Sequence, residues 1–202
     1  MLTLDRRSVL ASAAVLTAGG ALAQSPTPLV RVALTTADGS IILDLEAAKA
    51  PVTTTNFLRY VDAGRFDGAT FYRAVKTGSG APAGLIQGGL QNDPARVFPP
   101  IAHESTRATG LTHTDGVISM ARYEPGSAAS EFFICVGDQL YLDADPSLPG
   151  DDLGFAAFGH VVEGMDVVRA ILLAPRSPTA GEGSLRGQML DPPVAISRAR
   201  RA

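Results

Sequence analysis

The chain has no tryptophan, one cysteine, three histidines and no strong excess of charge of either sign. A lone cysteine, Cys135, excludes a disulfide within the chain and a cysteine-built zinc site. Its neighbours in Phe132-Phe133-Ile134-Cys135-Val136 are apolar, so the thiol reads as a small buried hydrophobe rather than a nucleophile. A net charge of −3 offers no basic field to nucleic acid, and no nucleic-acid partner is expected. His103 and His113 do not fall at ligand spacing, and Asp143, Asp145, Asp151 and Asp152 do not follow the calcium-loop pattern. No metal or cofactor is expected, therefore. Gly78-Ser79-Gly80 lacks the surrounding glycine pattern of a nucleophile elbow, so a serine hydrolase finds no support there.

What is present points to one packed unit. Hydrophobic residues make up 46% and charged residues 18%, too apolar for a disordered chain, and 202 residues suffice for one sizeable core. The first 23 residues read as an export leader: a charged start with Arg6-Arg7-Ser8, an apolar, alanine-rich stretch over residues 11–22, and small residues at Ala21-Leu22-Ala23. The arginine pair is similar to a twin-arginine signal, although a general secretory start has the same charge. The apolar stretch is too short to span a membrane, and no later one qualifies. The expected organisation is a leader over residues 1–23, a flexible lead-in over 24–29 and one domain over 30–202. The expected location is the periplasm, as a monomer with no membrane contact once the leader is removed.

Periodicity then divides the domain. Val30, Val32 and Leu34 alternate with polar or small neighbours, and after Asp38-Gly39 the alternation resumes at Ile41, Leu43 and Leu45, which predicts a β-hairpin. Val52, Asn56, Phe57, Tyr60 and Val61 recur at helical spacing between Pro51 and Gly64, a start and a stop. Residues 69–73, 85–87, 117–120 and 131–136 read as strands, residues 77–84 and 143–154 as loops. A second helix is predicted over residues 165–174, ended by Pro175, and Val194-Ala195-Ile196 as a last short strand. Many short strands, two helices and no alternating strand–helix order favour a closed antiparallel barrel.

The stretches at residues 66–73, 85–89, 116–122 and 130–135, taken in that order, resemble the cyclophilin family of peptidyl-prolyl cis-trans isomerases. Phe66-Asp67-Gly68-Ala69-Thr70-Phe71-Tyr72-Arg73 resembles the stretch that ends in the family's catalytic arginine, and Leu85-Ile86-Gln87-Gly88-Gly89 its Gln-Gly-Gly strand. Gly116-Val117-Ile118-Ser119-Met120-Ala121-Arg122, followed by Ser130-Glu131-Phe132-Phe133-Ile134-Cys135, is similar to its central signature. The resemblance implies a mainly β protein, a closed eight-stranded antiparallel β-barrel capped by two α-helices, with the groove on the barrel's outer surface. It implies Arg73 as the catalytic residue, Phe133, Leu85, Leu142 and Phe155 as the proline pocket, and Ala121 and Gln87 beside the peptide backbone. The partners it implies are proline-containing polypeptides.

Six positions depart from the family pattern, Arg122 among them, where asparagine is usual. Tyr72 stands where histidine is usual, Glu131 where glutamine is, Phe155 where histidine is common, and Tyr141 where tryptophan often is. Gly84 takes the place of an aromatic residue, from which a weaker grip on proline, by about 1–3 kcal/mol, is expected. Glu131 is expected either to pair with Arg73 or Arg122 and compete with substrate, or to orient Arg73. The altered groove leaves a second reading open, a peptide-binding module or chaperone without turnover.

Overall fold

The computed structural model describes residues 29–202 except 79, 148 and 150. The leader assigned to residues 1–23 and most of the lead-in lie outside the described residues.

Eight strands form a closed barrel in the order β1-β2-β7-β5-β6-β4-β3-β8, every neighbouring pair antiparallel. The predicted first hairpin is β1 (Val30–Thr36) and β2 (Gly39–Leu45). Next come β3 (Ala69–Thr77), β4 (Ala83–Gly89), β5 (Val117–Met120), β6 (Phe132–Val136), β7 (Ala156–Glu163) and β8 (Met189–Arg201). Alternation sends Val32, Leu34, Ile41, Leu43, Ile86, Ile118, Phe132 and Ile134 into the barrel, where all are at most 1% exposed or fully buried. The inner aromatics interlock: Phe57 packs on Phe66, Phe132 and Phe158 with ring centres 5.0, 5.4 and 5.3 Å away.

Both predicted helices are present. Helix α1 (Pro51–Asp62) buries Phe57, Leu58, Tyr60 and Val61. It has no side-chain cap of its own; Glu104, from a distant loop, accepts from the backbone N–H groups of Val52 (3.1 Å) and Thr53 (2.6 Å). A carboxylate there satisfies orphan donors and complements the positive end of the helix dipole. Met165–Leu173 forms the other long helix, burying Val167, Val168, Ile171 and Leu172. It rests against the start of β2, where Val167 lies beside Gly39, whereas α1 follows the end of β2. The two helices therefore close opposite ends of the barrel.

Three expectations change. The loop expected over residues 77–84 is shorter: β3 runs through Thr77 and β4 starts at Ala83, so only the residues between them connect the two strands and both strands of the hairpin are lengthened. The final strand is thirteen residues rather than three, and it closes the barrel by pairing with both β1 and β3. Its period is masked by arginines that face outward; Arg200 pairs with Asp67 (2.7 Å) and Arg201 with Asp62 (2.6 Å). Finally, a stretch for which no helix is predicted forms one helical turn, Thr106–Thr109, capped by the Ser105 side chain. A single turn has no periodicity to detect, and its cap alone announces it.

Candidate functional site

On the outer face of the barrel, β3, β4, β5 and β6 present a second apolar cluster. Outward-pointing Leu85, Phe133 and Cys135 pack with Leu142, and Val75, Ala121 and Phe155 lie against them. The loop between β6 and β7 folds over this face, burying Phe133 to 3% exposure although it points away from the barrel interior. Phe155 meets the Phe133 ring edge-on at 5.5 Å, and His113 stacks on it at 5.8 Å. A groove of about 550 Å³ opens above this floor. All nine residues nominated from the sequence line it: Arg73, Gln87 and Glu131 on the polar side, and Leu85, Ala121, Phe133, Tyr141, Leu142 and Phe155 on the apolar side.

Arg73 lies on β3 beside a register shift between Phe71 and Arg73, which turns successive side chains toward the groove. Its guanidinium is held on two edges. Nη1 donates to Gln87 Oε1 at 2.7 Å, and Nε donates to Gln188 Oε1 at 2.8 Å. Burial lowers its pKa from the ordinary arginine value, yet arginine remains charged at working pH. Among the described residues, no side-chain bond engages Nη2.

Tyr72 and Glu131, two of the departures, are partners. The Tyr72 hydroxyl donates to Glu131 Oε2 at 2.6 Å and accepts from Gln87 Nε2 at 2.7 Å. Burial, with the neighbouring carboxylate, pushes the Tyr72 phenol well above its ordinary value, so the proton stays on the tyrosine. The polarity of the chain follows. Glu131 accepts from Tyr72, Tyr72 accepts from the Gln87 NH2, and the Gln87 oxygen is left facing Arg73. Glu131 Oε1 also accepts from the backbone of Leu90 (3.0 Å) and Asn92 (3.3 Å) and from Ser130 Oγ (2.8 Å). Its carboxylate fits only because position 89 is glycine; a Cβ there would come within 2.6 Å of Oε2.

Of the two alternatives for Glu131, a direct pair with Arg73 or Arg122 does not form; Glu131 reaches Arg73 only through Tyr72 and Gln87. Arg122 instead turns to Asp151 (2.6 Å) and stacks over Phe155 at 5.1 Å, tying the covering loop down. That contact holds the Asp151 carboxyl below the usual carboxylate range. Gly84 does not stand in the floor. It has φ +144°, and a Cβ there would lie 1.8 Å from the Val75 carbonyl oxygen. No side chain fits at that point, and Leu85 and Val75 form that part of the wall instead.

The structure also assembles a chain the sequence did not reveal. His113 Nδ1 lies 2.6 Å from Asp143 Oδ1, and its Nε2 2.9 Å from Ser119 Oγ. The order is that of a hydrolytic triad, but Ser119 and His113 are both fully buried and neither reaches the groove. No substrate carbonyl can approach the Ser119 hydroxyl. The chain buttresses Phe133 from behind. Cys135 is fully buried and its thiol is pushed up to about 12 by burial, which leaves it inert. Further groove residues, Gln91, Asn92, Tyr123, Ser184, Leu185 and Met189, escaped sequence reasoning. Apart from Met189, which begins β8, they come from loops and short turns, where only contact across the fold defines a wall. One signal was usable: Gln91-Asn92 is a turn-prone pair, and both adopt φ values of 52° and 56°.

A closed antiparallel barrel whose outer face carries an apolar floor, a polar side and a clamped arginine defines a groove-binding barrel protein. The family model described as cyclophilin type peptidyl-prolyl cis-trans isomerase/CLD matches residues 31–199. Peptidyl-prolyl cis-trans isomerase A of Dickeya dadantii is 40% identical over 167 residues, covering 79% of this chain and 82% of that protein. An isomerase of the same name class from Streptomyces antibioticus is 37% identical over 175 residues, covering 84% and 96%. A crystal structure of a Cryptosporidium parvum cyclophilin type isomerase, obtained in the presence of the dipeptide Ala-Pro, superposes with a TM-score of 0.67. It is 18% identical and covers 85% of this chain and 98% of its own. The chain belongs to the cyclophilin family and is a peptidyl-prolyl cis-trans isomerase.

Proposed function

We propose that Arg73 drives the isomerisation and that the outer groove holds an X-Pro segment of a polypeptide client, with the proline ring on the floor formed by Phe133, Leu85, Leu142 and Phe155. Rotation about the amide bond faces a barrier of about 18–20 kcal/mol because conjugation gives the bond partial double-bond character. In the twisted state the nitrogen leaves conjugation and gains a lone pair. A guanidinium N–H aimed at that nitrogen stabilises the twisted state more than either planar one, and no nucleophile or metal is needed. Gln87 and Ala121 line the groove and would flank the peptide backbone, with Tyr141 exposed at the rim and Glu131 buried behind Tyr72. The observation that carries this reading is the two-edged clamp on Arg73, which spends Nε and Nη1 on protein acceptors and leaves Nη2 for the groove. The neighbouring isomerase crystallised with Ala-Pro is consistent with such a ligand.

The test is NMR exchange spectroscopy on an Ala-Pro peptide with the mature protein and its Arg73→Ala variant. Catalysis by the wild type and a loss of about 10²–10³-fold in kcat/KM in the folded variant are expected, the usual consequence of removing one preorganised donor. An active Arg73→Ala protein would assign the chemistry elsewhere. The location we propose is the periplasm, reached through the leader over residues 1–23; the N-terminus of the protein recovered from that compartment should be Gln24.

A further inference from the structure

Arg73 has a second partner that lies 115 positions away in sequence, in the segment between the last helix and β8. That segment is closed at its neck. Ser177 N donates to Met189 O at 2.9 Å, and Arg176 bridges to Leu190. Its tip makes a short turn over Gly183–Leu185, whose Ser184 and Leu185 reach the groove. Gln188 closes the excursion. Its backbone oxygen accepts from Ala74 N at 2.9 Å, so the main chain of Gln188 is docked on β3 one residue from Arg73. The side chain then meets Arg73 Nε at 2.8 Å, while Gln188 itself does not line the groove.

We propose that Gln188 is a positioning residue for the isomerisation. It acts through Arg73 and not on substrate. A guanidinium on a long stem has many rotamers, and one acceptor leaves its plane free to swing about that bond. Gln87 holds Nη1 and Gln188 holds Nε, on different edges of the planar group, so together they fix both the plane and its rotation. Nη2 is then presented in a single direction. A group preorganised in this way favours the twisted amide without reorganising during the turn. The segment that supplies Gln188 is thus a catalytic support contributed by the C-terminal part of the chain. The proposal rests on the assignment of Arg73 made above.

Gln188→Ala, Gln188→Glu and Arg73→Ala would be compared with wild type for kcat and KM on an X-Pro peptide. The Arg73 Nε–H signal would be followed by 15N NMR. In Gln188→Ala, kcat should fall about ten-fold, the order of a lost hydrogen bond to a charged group, with KM unchanged and the Nε–H signal broadened by exchange with water. Gln188→Glu keeps the acceptor oxygen and should retain kcat within about three-fold. Gln188→Ala with wild-type kcat beside an inactive Arg73→Ala would overturn the role of Gln188 alone. An active Arg73→Ala would overturn the assignment beneath it. A loss in KM rather than kcat, with an unchanged Nε–H signal, would also count against positioning. If Gln188→Ala does not fold, the wild-type signal decides: slow exchange supports the clamp, and rapid exchange refutes it.

Discussion

The same strands build two hydrophobic clusters, one inside the barrel and one on its outer face, and the two are not alike. On β6, Phe132, Ile134 and Val136 point inward and Phe133 and Cys135 outward. The inner cluster is enclosed, and its phenylalanines Phe57, Phe66, Phe132 and Phe158 pack on one another. The outer one has a floor without a complete roof. It is held from behind by the Asp143–His113–Ser119 chain and edged by the polar run from Glu131 to Arg73. A protein of this kind stores stability in the inner cluster and leaves the outer one partly open, because a filled outer cluster would leave no place for a proline ring.

The adjacent Phe132 and Phe133 belong one to each cluster and separate their roles most strongly. Phe132→Ala should cost about 3–5 kcal/mol of stability, the usual cost of a fully buried phenylalanine, and leave most of the chain unfolded at modest urea concentration. Phe133→Ala should cost less, about 1–3 kcal/mol, since the space it vacates joins the groove rather than a sealed core. The folded Phe133→Ala protein should isomerise an X-Pro peptide at least about ten-fold less efficiently. Urea melts read beside NMR exchange rates separate the two effects; equal stability losses would erase the distinction between the clusters.

A smaller effect tests the polar edge. Tyr72→Phe interrupts the run between Glu131 and Gln87, and Glu131→Gln allows it to reverse direction. Each should reduce kcat/KM about five-fold, and the double variant should be little worse than the poorer single one, as expected of groups acting as a unit. Strictly additive losses would show that Tyr72 and Glu131 act separately.

The smallest effect concerns the support behind the floor. Burial holds the His113 pKa below its ordinary value against the opposing pull of Asp143, so the folded protein keeps this imidazole neutral. The unfolded chain takes up the proton first. Stability from this group is therefore complete above about pH 6.5 and declines as pH falls below that value toward the folded pKa. The carboxylates held low by arginine partners, Asp44, Asp62, Asp67 and Asp151, withdraw their share only below about pH 4. Urea melts at pH 7.5 and 5 should show the decline in wild type and a flatter dependence in His113→Gln. A wild type equally stable at both values would contradict it.

Alternation and turn signals settled by themselves that this chain builds a hairpin, two amphipathic helices and several short strands, because these are local patterns of period two and 3.6. The motif stretches around Arg73, Gln87 and Phe133 also made the candidate groove legible, since they sit on regular strands whose side chains alternate predictably. Local patterns had no access to three things. The long final strand was hidden because its exposed face is arginine-rich and its partners, β1 and β3, are more than a hundred residues away. Gly84 looked like a missing aromatic, whereas the backbone of β3 passes so close that no side chain could stand there. Tyr72 for Glu131, Gln188 for Arg73 and Asp143 for His113 come from segments 30 to 115 positions apart, brought together only by the tertiary fold. Composition and period decide which residues are buried and which face they share. Which polar atom meets which is decided in three dimensions, because a hydrogen bond depends on distance and direction across the fold and leaves no mark in the order of the chain.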